Sequence, residues 1–228
     1  MKLLHTDEKQ RLALLRRNEY FDTLPKSLLA EIVDHVQLRE YERGEVLLWE
    51  GDSCDGLYII LQGSAKIYRL SPQGRQYIVR VLQEGDTFAE VPTFDGGSNP
   101  VNVEALEMCS VWVVDSEMLR RLVAAHPQFA RKVLVNFGAQ LRGMVRKVSE
   151  MAFYQVTHRL ARLISELPPE ELQGGGTRLT QEQLAARLGT VREVVARSLR
   201  ELERSGAIQV ENRRITVMDK NVLSQWVN

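Results

Sequence analysis

Between Tyr41 and Val114 the chain falls into short β-rich runs, Val46-Leu47-Leu48, Leu57-Tyr58-Ile59-Ile60, Ala65-Lys66-Ile67-Tyr68 and Tyr77-Ile78-Val79-Arg80-Val81, punctuated by Gly44, Gly51, Gly56, Gly63, Gly74, Gly85, Gly96 and Gly97. A segment interrupted this often cannot sustain a helix, and short strands alternating with glycine turns specify an antiparallel β-barrel or roll. The flanks have a different period. Residues 7 to 38 read as helical, with Leu12, Leu14 and Leu15 in one stretch and Leu28, Leu29, Ile32 and Val33 in the next, divided by Leu24-Pro25.

Helical period returns at Glu117, where Leu134, Phe137, Leu141, Met144, Val148 and Met151 alternate steps of three and four. That spacing is an a/d seam and predicts a homodimer through these six residues. An amphipathic helix packed on its own barrel would show the same pattern. Gly138 and Gly143 lower the intrinsic helicity of this stretch, and a partner helix would offset that cost. A further helix is predicted over His158 to Ile164, then an exposed loop marked by Glu166-Leu167-Pro168-Pro169-Glu170 and Gly174-Gly175-Gly176.

Thr180 is a good N-cap, with Glu182 and Gln183 in the first turn of a helix that continues through Leu184-Ala185-Ala186-Arg187-Leu188. Gly189-Thr190 breaks it. A longer helix over Val191 to Ser205 ends at Gly206, and Ala207-Ile208-Gln209-Val210 with Arg214-Ile215-Thr216-Val217 form a hairpin around Glu211-Asn212-Arg213. Helix, glycine turn, helix and hairpin make a winged helix-turn-helix. Arg192, Glu193 and Arg197 lie near the front of the second helix, while Val194, Val195, Leu199 and Leu202 point to the core. Front residues of a recognition helix meet base edges in the major groove, where Arg clamps guanine and Glu accepts from cytosine. Thr190 is counted with them. Arg178, Arg213 and Arg214 flank the helix pair and are expected on phosphates.

The 30 Lys and Arg balance the 30 Asp and Glu, so distribution matters more than the sum. From residue 154 onward eleven basic residues face nine acidic ones, a small surplus concentrated on one helix and the hairpin after it. The apolar runs are too short to cross a bilayer and Met1-Lys2-Leu3-Leu4 is no signal-peptide core, so the expected location is the cytoplasm. Cys54 and Cys109, the two cysteines, lie far apart in sequence and point to neither a disulfide framework nor a zinc site.

Taken in order, Gly44-Glu45, Glu50-Gly51-Asp52, Tyr58-Ile59-Ile60-x-x-Gly63, Gly85-Asp86-x-Phe88-x-Glu90, the long helix and Arg192-Glu193-x-x-x-Arg197 resemble the catabolite-activator/fumarate-nitrate-regulator (CRP/FNR) family over roughly residues 20 to 217. The resemblance implies an α+β chain in three parts. These are an effector-sensing, cyclic-nucleotide-binding-like β-roll (a jelly-roll barrel) with N-terminal helices over 1–115, a dimerisation helix and hinge over 116–153, and a winged helix-turn-helix over 154–228. It implies an effector-responsive transcription regulator rather than an enzyme, a dimer on a palindromic double-stranded operator, RNA polymerase as a partner, and a small-molecule effector near Glu90, Phe88, Asn99, Val101 and Met144.

Where cyclic-AMP-binding relatives carry an Arg-Ser pair, this chain has Gly97-Ser98-Asn99-Pro100-Val101-Asn102, and Ala89 stands for the glycine before Glu90. A phosphate needs a charge-assisted partner or backbone N–H donors, so cyclic AMP in the family's usual mode is not expected. No cysteine precedes Cys54, which argues against the family's iron-sulfur cluster. A haem-sensing variant would draw on His5, His35, His126 or His158. A cupin-type metalloenzyme would need histidines inside the barrel, and none occurs between His35 and His126. A regulatory module without DNA activity is the remaining alternative.

Overall fold

The computed structural model describes residues 8–22, 24–168, 172, 179–211 and 214–227. By chain contacts they form two compact units, residues 8–69 with 79–141 and residues 70–78 with 142–227. Along the chain, α1 (Glu8–Arg17) and α2 (Lys26–Asp34) precede β1 (Val36–Tyr41), β2 (Val46–Leu48), β3 (Gly56–Gln62), β4 (Ala65–Leu70), β5 (Gln76–Leu82) and β6 (Thr87–Phe88). A short α3 (Glu90–Asp95), β7 (Asn102–Ala105), β8 (Cys109–Asp115) and α4 (Ser116–Ala125) follow, and α5 (Pro127–Phe153) closes the series. The strands build two four-stranded sheets, ordered β1-β8-β3-β6 and β2-β7-β4-β5.

The register fixes which side chains share a face. Tyr58 lies opposite Val113 and Ile59 opposite Trp112 across β3 and β8. Tyr58, Ile60, Val111 and Val113 therefore turn into the roll, where they meet Leu47, Leu48, Leu82, Phe88 and Val103. The alternate residues Leu57, Ile59, Trp112 and Val114 turn outward and pack under Leu29, Ile32, Leu119, Leu122 and Phe129 of the helices. A sheet covered on both faces reads as unbroken hydrophobic runs rather than alternation, as Leu57 to Ile60 and Val111 to Val114 do. Gly63 combines φ +83° with a backbone so close that a Cβ would sit 2.2 Å from the Met108 carbonyl oxygen, so only glycine fits there.

Three expectations change. Residues 36–38 belong to β1, not to a helix, and Leu38 lies opposite Trp112. Six residues after Ala89 form α3, a helix the strand pattern hid. Phe137 is half-buried against the first unit's core and meets Phe94 edge-on at 6.0 Å, so it faces its own roll instead of lying wholly in the exposed seam.

α5 starts on Pro127, whose missing N–H is not needed in a first turn, and its 27 residues span about 40 Å. Phe129, Val133 and Asn136 are its buried residues. Leu134, Leu141, Met144, Val145, Val148 and Met151 are 44–71% exposed.

In the second unit α6 (Val156–Glu166), α7 (Gln181–Leu188), α8 (Arg192–Arg204) and α9 (Lys220–Val227) surround the antiparallel hairpin β9 (Ile208–Glu211) and β10 (Arg214–Val217). Leu160, Ile164, Leu184, Leu188, Val195, Leu199, Leu202, Ile208, Ile215 and Leu223 make its core. Burying side chains of this size contributes roughly 1.5–3 kcal/mol each.

Candidate DNA-reading surface and effector barrel

α7 begins with a reciprocal capping box: the Gln183 N–H donates to Thr180 Oγ1 at 3.1 Å, and the Thr180 N–H donates to Gln183 Oε1 at 2.8 Å. It ends at Gly189, whose φ of +64° carries the chain sharply into α8. The Thr190 N–H, donating to the Ala185 carbonyl at 3.0 Å, completes the turn. Thr190 is half-buried, and its backbone serves the turn.

α8 is divided by its period. Val195, Ser198, Leu199 and Leu202 are buried, whereas Arg192, Glu193 and Arg197 are exposed in the first two turns. Arg192 Nε lies 3.7 Å from Glu182 Oε1, a loose pair between two mostly exposed side chains, which an approaching polyanion can replace at little cost. Arg200, one turn on, is also exposed, with Nε donating to its own helix at the Ala196 carbonyl, 3.2 Å away. Arg214 is exposed on β10 opposite Glu211. Arg178 and Arg213 lie outside the described residues, as does the glycine run 174–176.

A link that the sequence did not announce fixes α8 against α6. Thr157 and Ser198 are both buried, with hydroxyl oxygens 3.0 Å apart, and Thr157 Oγ1 lies 2.7 Å from Glu201 Oε2. A carboxylate only accepts, so the single Thr157 proton goes to Glu201 and Ser198 donates to Thr157. The partners are 41 and 44 residues apart, and only the fold joins them. Arg162 holds the end of α5 and the C-terminal helix together, donating to Glu150 Oε1 at 2.6 Å and to the Val227 carbonyl at 2.7 Å, with Tyr154 under its guanidinium. The bond to Glu150 raises the Arg162 pKa further.

In the roll, Phe88 is fully buried and stacks on Tyr58 at 4.8 Å, which makes it core. Burial pushes the Tyr58 phenol up, and its oxygen accepts from Arg39 at 3.1 Å. Glu90, 7% exposed, accepts from Thr87 Oγ1 at 2.7 Å, and Thr93 Oγ1 donates to the Ala89 carbonyl at 2.7 Å. Ala89 sits at φ +66°, the left-handed conformation that favours glycine. Asn99 is 2% exposed, its N–H donating to the Asp52 carbonyl and its carbonyl accepting from the Gly51 N–H. Asn102 Oδ1 accepts from the Glu50 N–H at 2.9 Å. The polar groups around Glu90 and Asn99 thus serve the fold itself, and no basic side chain stands in the stretch from 97 to 102. Val101 is half-buried, and Met144 is exposed on α5.

Of the described histidines, His35 ends α2, His126 lies between α4 and α5, and His158, in α6, packs edge-on against Trp226 at 5.4 Å. Among the described residues no group of three or more His, Cys, Asp or Glu could hold a metal ion, and no helix is long and apolar enough to cross a membrane.

A β-roll of the cyclic-nucleotide-binding type, followed along the chain by a long helix and a winged helix-turn-helix, defines a class of DNA-binding regulators. The cyclic nucleotide-binding domain model matches residues 38–126 and the Crp-like helix-turn-helix domain model matches residues 158–226. The chain is 30% identical over 202 residues to the cAMP-activated global transcriptional regulator Vfr of Pseudomonas aeruginosa, covering 83% of this chain and 92% of that one. It is 27% identical over 218 residues to the CRP-like cAMP-activated global transcriptional regulator of Mycobacterium tuberculosis, covering 93% and 97%. A CRP/FNR-family protein of known structure from Eubacterium rectale shares the fold with TM-score 0.77 at 20% identity, over 92% of this chain and 99% of that one. The chain belongs to the CRP/FNR family: it is a CRP-like transcriptional regulator with a helix-turn-helix DNA-binding domain. The relatives named here are transcriptional regulators, not enzymes.

Proposed function

We propose that two copies join along α5 and read a two-fold-symmetric operator in the cytoplasm, with Arg192, Glu193 and Arg197 on base edges and Arg178, Arg213 and Arg214 on phosphates. The observation that carries the reading is the division of α8: its buried face is committed to the core, and its first two turns offer two arginines and a glutamate with no strong partner among the described residues. The exposed apolar stripe of α5 supports the dimer, because six large hydrophobic side chains on one helix favour a partner over water.

In this reading residues 1–115 sense the effector, 116–153 dimerise and transmit, and 154–228 bind DNA, with RNA polymerase as the partner at the promoter. The Pseudomonas aeruginosa and Mycobacterium tuberculosis relatives are cAMP-activated. Here the stretch 97–102 offers no basic side chain to a cyclic phosphate, so the effector is a different small molecule or is held by other groups. It changes DNA binding only through its differential affinity for the two states of the dimer.

Selected-site sequencing tests the division of labour. Arg192→Ala is expected to relax preference at one base pair of each half-site by about 1–3 kcal/mol, and Arg214→Ala to weaken all sequences about equally. If Arg192→Ala keeps the full base preference while Arg214→Ala loses it, reader and anchor are reversed.

A further inference from the structure

We infer that a cleft on the outer face of the β-roll is a binding site for a free α-amino acid with an apolar side chain. The cleft holds about 260 Å³, between the turn that follows α1 and the outer face of β3 and β8. That is below the roughly 300 Å³ at which pockets for larger ligands begin, so its occupant is small.

Its lining has three chemistries. Ile59, Leu61 and Trp112 form an apolar wall. Arg17 and Glu84 stand at the exposed rim, and among the described residues neither has an ion-pair partner. Asn18 is 5% exposed; its Oδ1 accepts from the Tyr20 N–H at 3.0 Å, which leaves Nδ2 as a buried donor without a partner among the described residues. A buried orphan donor is costly, and a site that retains one is suited to an acceptor from outside.

Arg17 at the rim and Asn18 on the lining are the groups that would receive a carboxylate, and the planar fork of arginine favours one. Glu84 would repel a simple anion but attracts an ammonium group. A carboxylate and an ammonium on one carbon, with an apolar side chain against Trp112, is an amino acid such as leucine or phenylalanine. The Glu84 charge disfavours a nucleotide phosphate at this rim.

The site is also placed to be felt. Tyr20, tied to Asn18, stacks on Phe94 of α3 at 6.1 Å, and Phe94 in turn meets Phe137 of α5. The site itself does not depend on the operator-reading proposal.

Isothermal titration of the full chain with L-leucine, L-phenylalanine and 4-methylpentanoate, which lacks the ammonium group, tests it. Wild type should bind both amino acids saturably. Glu84→Gln should weaken leucine about tenfold without weakening 4-methylpentanoate, because only the amino acid uses the Glu84 charge. Asn18→Asp keeps the acceptor for Tyr20 and replaces the donor with a negative charge, so it should abolish binding of all three. If Asn18→Asp fails to fold, the exposed Glu84→Gln variant carries the test alone. Absence of saturable binding to wild type at about 10 mM, or leucine binding unchanged by Glu84→Gln, overturns the proposal.

Discussion

Replacing Thr157 with valine keeps the shape of the side chain and removes the hydroxyl through which α6 holds α8. Ser198, 3% exposed, then loses its acceptor and becomes a buried orphan, which costs about 1–3 kcal/mol. The loss at Glu201 is smaller, since that carboxylate is exposed and water can replace the bond. The added methyl group offsets part of the total, so the expected destabilisation is about 1–3 kcal/mol. Ser198→Ala leaves Thr157 donating to Glu201 and should cost only about 0.5–1.5 kcal/mol. The double variant has no orphan, so it should be more stable than the sum of the single changes predicts, by about 1 kcal/mol. Urea unfolding followed by fluorine NMR of 5-fluorotryptophan isolates this unit, because Trp226 reports on it and the chain has two other tryptophans to resolve, Trp49 and Trp112. Strict additivity of Thr157→Val and Ser198→Ala would refute the proton order and the orphan argument together.

Two further outcomes follow from the roll. Burial raises the Cys109 thiol from 9.0 to about 11. Between those values the unfolded chain ionises before the folded one, so stability is full below pH 9 and falls as pH rises toward 11. At about 1.4 kcal/mol per pKa unit the loss approaches about 3 kcal/mol, and Cys109→Ala should flatten that alkaline slope in urea melts at stepped pH. Millimolar cyclic AMP should leave the melting temperature unchanged, because a ligand held only by the native state must raise it; a clear rise would show a phosphate site despite the missing arginine.

Much of this architecture could be read from residue order, and the misses have physical causes. Glycine spacing identified the roll, and Thr180, Gln183 and Gly189 marked the limits of α7 because capping chemistry is local. β1 was misread since Val33, Val36 and Leu38 extend the apolar spacing of α2 without a breaker, and its strand character comes from pairing with β8, more than seventy residues later. α3 was hidden because Val91-Pro92-Thr93-Phe94 has no helical signature on its own. Phe137 shows the limit of a heptad: a step of three or four places a side chain on a stripe but does not say whether the neighbour is a partner helix or Phe94 of the same roll. On the DNA side, the exposed Arg192, Glu193 and Arg197 were legible from period alone, whereas the Thr157–Ser198–Glu201 link depends on residues that only tertiary structure brings together.

The central claim is that two chains joined along α5 read one symmetric operator, and the mass of the protein–DNA complex measures it directly. On a selected two-fold site, native mass spectrometry should show two chains per duplex for wild type. The variant carrying Leu141→Lys and Val148→Lys should be a folded monomer, because both positions are more than 60% exposed on the single chain, and it should lose the two-chain complex. A wild-type complex with one chain per duplex, or a two-chain complex that survives both lysines, would contradict the account.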